Sequence, residues 1–385
     1  MPPCPFDLVR DTPFGSYTAS AAKLTGGLIN YVWRLADASG DTVIVKYADS
    51  SLAVLPEVKF SVERMDFEVR GLSLFNELSS ANQASETLRA INSLSAKSLA
   101  PTTSVRVPKL LYYDASQHFL ILEDVGVHMG YEAWYVSKDS GPADIDFVCA
   151  KVGEWLAHLH AFGFANLAFL ESHFVNQPAR DLLSGLMYDS TAQDIKAHTQ
   201  FDDKQELADR VMQLKTELRQ AKVSPGVGHT LLFGDMWPGS ILFDVEARII
   251  NVLDFEFADI GLIYGDLGHF VAHLLPMHFL RDKSFNPNTD PCPHSVVAFL
   301  SAYKQTMLEK NPEAYRAAIG DAVRHSTMFM GIEIARDVLT GNWCRCENAG
   351  PKSEKPLTCE CAEILLPLAR KYINNPSDSL FNILN

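Results

Sequence analysis

The sequence predicts an α+β chain of two lobes: a small lobe with an antiparallel sheet over about residues 1–125, and a larger, mostly helical lobe over 126–385. Two observations predict it. Short β-branched and aromatic runs separated by turn residues crowd the first 125 positions, the pattern of hairpin strands. Beyond Gly126, apolar residues recur at three- and four-residue spacing, the pattern of amphipathic helices, and strand-like runs return only between Leu231 and Phe257.

Taken in order, Thr25 to Leu35 (TGGLINYVWRL) runs from a glycine pair into apolar residues, and Thr42 to Tyr47 (TVIVKY) is β-branched. The DASGD segment between them is a turn signal, so the pair forms a hairpin. In Ser61 to Leu74, Val62, Met65, Val69 and Leu72 fall at helical spacing. Leu78 to Thr103 is rich in Ser, Ala and Asn and is expected to include a surface excursion. Pro108 to Tyr113 and Phe119 to Leu122 are two further strands around a turn at 114–118. Phe147 to Phe162 is an amphipathic helix, with Val148, Val152, Trp155, Leu156 and Leu159 on one side. Ala179 to Arg219 is mostly helical, strands return near 231–257, and the chain from Asp266 onward is helical again.

Composition excludes several classes. Of 385 residues, 47% are hydrophobic and 21% charged, which fits a chain with a sizeable packed core. The net charge is −14, so the surface is not built to coat nucleic acid or anionic lipid. No apolar run reaches the roughly 18 residues of a membrane span. The first ten residues lack the charged-then-apolar order of a secretory signal, so the expected location is cytoplasmic. Seven scattered cysteines do not make a disulfide framework. Four of them, Cys344, Cys346, Cys359 and Cys361, flank a polar loop; zinc binding, a redox-sensitive thiol cluster and plain loop cysteines all fit that pattern. His158 and His160 on the Trp155 helix fit either substrate contacts or a structural role.

The residues most able to carry chemistry lie in LLFGDMWPGSILFD followed by IINVLDFE. Gly234 frees the backbone to turn after a strand, and Asp235 then sits on a tight loop closed by Pro238 and Gly239. Asp254 ends the second strand of the hairpin that follows, with Glu256 two residues on. Carboxylates at the ends of one hairpin can converge, one orienting a hydroxyl nucleophile and the others holding a hard, oxygen-seeking cation. Lys46, on a β-branched strand, needs a carboxylate partner if buried, and Glu68, one helical turn after Arg64, is placed to supply it.

In this order, GGLINYVWRL, VIVKYA, RMDFEVRGL, LEDVG, GDMWPGSILFD and VLDFEFADIGLIYGDLG resemble the aminoglycoside phosphotransferase and choline kinase group. These are small-molecule kinases with a protein-kinase-like fold. Within the group the motifs look most like the methylthioribose kinase branch, over about residues 24–275. The resemblance implies a nucleotide-binding lobe over 1–125, a helical lobe with catalytic loop and substrate site over 126–385, and an ATP cleft between them. It implies ATP and Mg²⁺ as cofactors and a small hydroxyl-bearing molecule as acceptor. Asp235 matches the catalytic aspartate. Asp254 and Glu256 match the metal-holding pair, and Ser240 stands where a metal-binding Asn is usual, as it does in methylthioribose kinases. Lys46 matches the phosphate-contacting lysine and Glu68 its partner. Gly27 and Asn30 belong to the nucleotide-binding hairpin, and Glu123 and Val125 to the hinge whose main chain reads adenine. Asp266 resembles the aspartate that accepts catalytic-loop amides.

Two departures stand out. Phe233 replaces the histidine usual two residues before the catalytic aspartate. Ala335-Arg336-Asp337 holds one arginine where methylthioribose kinases carry an adjacent pair, which argues against methylthioribose as acceptor. Acidic residues of the helical lobe would suit a cationic amine, and Trp237, Trp343 and Tyr264 a ring. The alternative is a kinase-like nucleotide-binding protein without turnover. A protein kinase is disfavoured, because H-R-D, D-F-G and A-P-E segments are lacking.

Overall fold

The computed structural model describes residues 2–24, 27–76, 85–96, 99, 103–137, 139–198, 201–221, 228–287, 289–341, 360–377 and 379–385. Cys344, Cys346 and Cys359 of the proposed cysteine cluster, and Trp343, lie outside the described residues. Cys361 is buried on a C-terminal helix. The chain forms two compact units. One comprises 1–128, 171–179 and 242–259; the other comprises 129–170, 180–241 and 260–385.

The first unit is built on a five-stranded antiparallel sheet. Its strands are β1 (Ser20–Lys23), β2 (Tyr31–Ala36) and β3 (Thr42–Tyr47), and, after a two-residue strand β4 (Val105–Arg106), β5 (Leu110–Asp114) and β6 (Phe119–Glu123). The order is β1-β2-β3-β6-β5, so β3 is paired on both sides. Alternation along β3 then decides which side chains meet which layer. Val43 and Val45 join Trp33, Leu35, Phe119 and Ile121 in a core covered by Leu8 and Val9 of the Pro5–Val9 helix. Lys46 faces the opposite way and is buried, 4% exposed.

The Arg64–Ser73 helix buries Met65, Phe67, Glu68, Val69 and Leu72. The expected surface excursion contains a further helix, Glu86–Ser95, which buries Leu88 and Ile91. Its Ser85 cap and its Asn92 bonds to the Ser73 and Asn76 carbonyls explain polar residues that look like loop when read locally.

The second unit is mostly helical. The Pro142–Ala165 helix packs on the His294–Lys310 helix and on strand β7 (His229–Leu232). The Tyr264–Arg281 helix packs on Pro312–Thr340, which in turn carries the Glu360–Asn374 helix. The expected hairpin, β8 (Ile241–Asp244) and β9 (Ile249–Val252), belongs almost wholly to the first unit, where β4 joins it in a small sheet. An unexpected strand, β10 (Asp259–Leu262), pairs with β7. Among the described residues no helix is long and apolar enough to cross a membrane.

Candidate active site

Lys46, Glu68, Asp254, Glu256, Asn30 and Arg64 converge in the first unit. Lys46 Nζ lies 2.6 Å from Glu68 Oε2, 2.7 Å from Asp254 Oδ1 and 3.9 Å from Glu256 Oε1. The pairing of Lys46 with Glu68 follows from register: the inward side chain of a doubly paired strand meets the buried face of the helix behind it. Arg64, one turn before Glu68 and on the same face, is completely buried. Its guanidinium donates to Asn30 Oδ1 and to the carbonyls of Phe60, Ser61 and Asp49, all at 2.9 Å, and stands 3.7 Å from Glu256 Oε2. Asn30 in turn donates its Nδ2–H to Glu256. Asn30 is thereby a spacer between Arg64 and Glu256, with both ends of its amide engaged.

Asp254 follows β9 in the left-handed region, φ 68°, a conformation Asp tolerates better than most residues and one that gathers at functional sites. Its neighbours hold it there. Phe255 is buried and packs on Phe75 and Gly71, Phe257 stacks on Phe60, and Asn176 donates to the Glu256 carbonyl at 2.9 Å. A Cβ at Gly71 would meet Phe255 Cβ at 2.5 Å. Gly71→Ala is therefore expected to push Phe255 outward, at the ~1–3 kcal/mol typical of overpacking, and to misplace Asp254 and Glu256 on either side of it. A lower melting temperature, partly restored by adding Phe255→Leu, would check this.

Three carboxylates surround two cations here. Burial pulls the Lys46 ammonium down, but Asp254, Glu256 and Glu68 outweigh it and hold its pKa above the usual lysine range. Burial pushes the Glu68 carboxyl up, to about 8, against the pull of Lys46, and Glu256 rises for the same reason. The surplus negative charge is what a divalent cation would neutralise. Carboxylate oxygens of Glu68, Asp254 and Glu256 lie within 4.8 Å of one another, a hard-donor set suited to such an ion.

Of the hinge residues, Glu123 donates its N–H to the Lys109 carbonyl and turns its carboxylate back to the Lys109 N–H. The Val125 carbonyl contacts His128 Nε2 at 2.6 Å. Asp124 between them holds Arg34 in a two-pronged ion pair, 2.5 and 2.8 Å, and caps the Gly126 N–H. Gly27 is exposed, and a Cβ there would lie 3.9 Å from the Asn30 carbonyl.

Asp235 and Ser240 lie in the second unit. Gly234 adopts φ 91°, which turns the chain sharply out of β7 and presents Asp235. Asp266 accepts the N–H groups of Phe233 and Gly234, each at 2.8 Å, as the resemblance implies. Asp266 is oriented by His160 Nε2 at 3.0 Å, and His160 Nδ1 meets the Tyr303 hydroxyl at 2.8 Å. His160 is fully buried, so its role is structural. Phe233 fills the position of the missing histidine as core, edge-on to Trp155. Ser240 Oγ donates to the Asp235 carbonyl at 3.2 Å and tightens the loop.

Beside Asp235 lies a charged group of which the sequence singled out only Ala335-Arg336-Asp337. His269 and His273 sit one turn apart, and Glu333, Arg336 and Asp337 face them from the Pro312–Thr340 helix. The i,i+4 histidine pair was a further local signal. Glu333 is completely buried, and burial opposes its charge, but Arg336, His269 and His273 hold its carboxyl well below the usual range.

The model of the phosphotransferase enzyme family matches residues 20–284. The chain belongs to the phosphotransferase enzyme family. Among the relatives of this phosphotransferase is the 4-hydroxytryptamine kinase of Psilocybe cubensis, 26% identical over 332 residues, 81% of each chain. Another is the methylthioribose kinase of Geobacillus thermodenitrificans, 26% identical over 253 residues, 60% of this chain and 61% of that one. In fold the phosphotransferase is similar to an amicoumacin kinase solved with AMP-PNP, Ca²⁺ and Ami, at TM-score 0.51 and 12% identity over 96% of this chain and 92% of that one. Family and relatives make the chain a small-molecule kinase.

Proposed function

We propose that the chain transfers the γ-phosphoryl group of ATP to a hydroxyl of a small cationic amine. The observation that carries the phosphoryl-transfer half is the Lys46 cluster: an ammonium held between Glu68 and Asp254, with Glu256 braced by Asn30 and Arg64 behind it. In this reading Lys46 meets the nucleotide's phosphates while Glu68 keeps its ammonium in place. Asp254 and Glu256 hold Mg²⁺, with Ser240 as a further candidate ligand. That ion, when bound, neutralises phosphate oxygens and so favours charge transfer to the leaving diphosphate. The main chain at Glu123 and Val125 reads adenine, in a hinge stiffened by Arg34 and Asp124. Gly27 and Asn30 line the nucleotide side, Asn30 by fixing Glu256. Asp235 receives the acceptor hydroxyl.

The amine half rests on the charges near Asp235. Glu132, Glu333 and Asp337 gather around His273, and Arg336 is already held by Glu333 at 2.5 Å and Asp337 at 3.1 Å. An arginine so neutralised is a poor anchor for an anionic acceptor, whereas the half-buried Glu132 carboxylate suits an ammonium. Trp237, 5.4 Å from the His273 ring, offers an aromatic wall. The 4-hydroxytryptamine kinases, matched over four-fifths of their length, support the same class.

Incubation with ATP and either 4-hydroxytryptamine or methylthioribose, read by mass spectrometry for one added phosphoryl group, tests the acceptor. Turnover of the sugar with none of the amine would reject the amine reading. For the nucleotide half, Asp254→Ala is expected to abolish Mg²⁺-dependent tightening of ATP binding in calorimetry, because it removes a hard anionic ligand. An unchanged Mg²⁺ dependence would remove Asp254 from the metal site.

A further inference from the structure

We infer that His269 is a positioning residue for phosphoryl transfer, tying the Asp235 carboxylate to the buried Glu333 and holding it in the orientation in which it meets the acceptor hydroxyl. This rests on the role proposed for Asp235 above.

The geometry is that of a bridge. His269 Nδ1 lies 3.7 Å from Asp235 Oδ1 and its Nε2 3.6 Å from Glu333 Oε1. His269 stands three residues after Asp266, so both project from one face of the Tyr264–Arg281 helix. That single face meets the loop twice: Asp266 accepts from its backbone at Phe233 and Gly234, and His269 stands within ion-pair range of the Asp235 carboxylate. The far end of the bridge is rigid. Glu333 has no exposure and is clamped by Arg336 at 2.5 Å. The His269 ring packs edge-on against Phe329, 6.1 Å between centroids, which limits its rotation.

An imidazole between two carboxylates serves both best as the cation. Burial opposes that charge, but Glu333 and then Asp235 raise the His269 pKa above the usual imidazole value, with Arg336 opposing. The His273 ring lies beside that of His269, 5.0 Å between centroids, and Glu132 and Asp337 lie near His273. In the reaction His269 keeps its proton. The acceptor O–H bond breaks, its proton passes to Asp235, the oxygen's electron pair forms the new bond to the γ-phosphorus, and the bond to the nucleoside diphosphate oxygen breaks.

His269→Asn and His269→Gln keep a polar group near one ring nitrogen or the other but lose the charge. Both are expected to lower kcat by about 10–100-fold, the usual cost of removing an orienting partner, with the KM for ATP unchanged. Wild-type kcat should decline on the alkaline side as His269 loses its proton, and the variants should lack that decline. Independently of turnover, NMR of the full chain, with the His269 ring assigned by its contact with Phe329, should show it titrating at lower pH in Asp235→Asn than in wild type. Wild-type kcat and pH profile in both His269 variants would overturn the inference, and so would an unchanged His269 titration in Asp235→Asn. If Asp235→Asn kept its activity, the assignment of Asp235 itself would fall instead.

Discussion

Asp235→Asn is expected to lower kcat by about 10²–10⁴-fold, the range for loss of a general acid–base group, while nucleotide affinity stays near wild type. The amide keeps the size of the carboxylate but can neither take up the hydroxyl proton nor pair with His269 in the same way. The loop should survive the change, because Asp266 and Ser240 hold its backbone. The variant should therefore melt close to wild type and bind ATP with the same Mg²⁺ dependence. Activity above about a tenth of wild type would mean that another group receives the hydroxyl proton.

Lys46→Ala is expected to damage both catalysis and stability. It removes the phosphate contact and strands Glu68, nearly without exposure, while Glu256 keeps Asn30 and Arg64. Breaking a buried ion pair from one side costs on the order of 3–5 kcal/mol. The double variant Lys46→Ala/Glu68→Gln should regain part of that stability and none of the activity, since the stranded charge is gone but the phosphate contact is still missing. Strict additivity of the two changes in thermal melts would mean that the pair contributes nothing as a pair.

The loss also carries a pH signature. Glu68 is already pushed up to about 8 with Lys46 present, from an ordinary value of 4.5, and removing the ammonium pushes it further. Above 4.5 the unfolded chain has released a proton that the native variant still holds. Wild type shares that loss up to about 8, where its own Glu68 ionises, so the variant's deficit should be level below about 8 and grow as pH rises above it. A deficit independent of pH would point to lost packing of the lysine stem rather than to uncompensated charge.

Most of the candidate residues were legible because each obeys a local rule. Lys46 is marked by an alternating strand, Glu68 by a helical turn from Arg64, Asp235 by the glycine before it, and Asp254 and Glu256 by their place after a hairpin strand. The helix at Glu86–Ser95 was not legible, because its polar residues are consumed by a cap and by carbonyls of other segments. Fold class and the placement of the candidate residues on strand, helix and loop thus follow from periods of two and 3.6 and from turn residues, all of them properties of a short stretch of chain. What only the tertiary structure decided is how those residues are held. Asn30 and Glu256, 226 positions apart, share a hydrogen bond, Arg64 is buried by carbonyls from separate loops, and His269 reaches Asp235 and Glu333 on different elements. No local pattern encodes these contacts. They arise because packing whole helices and sheets together buries charges that must then find partners wherever the chain has brought one within reach.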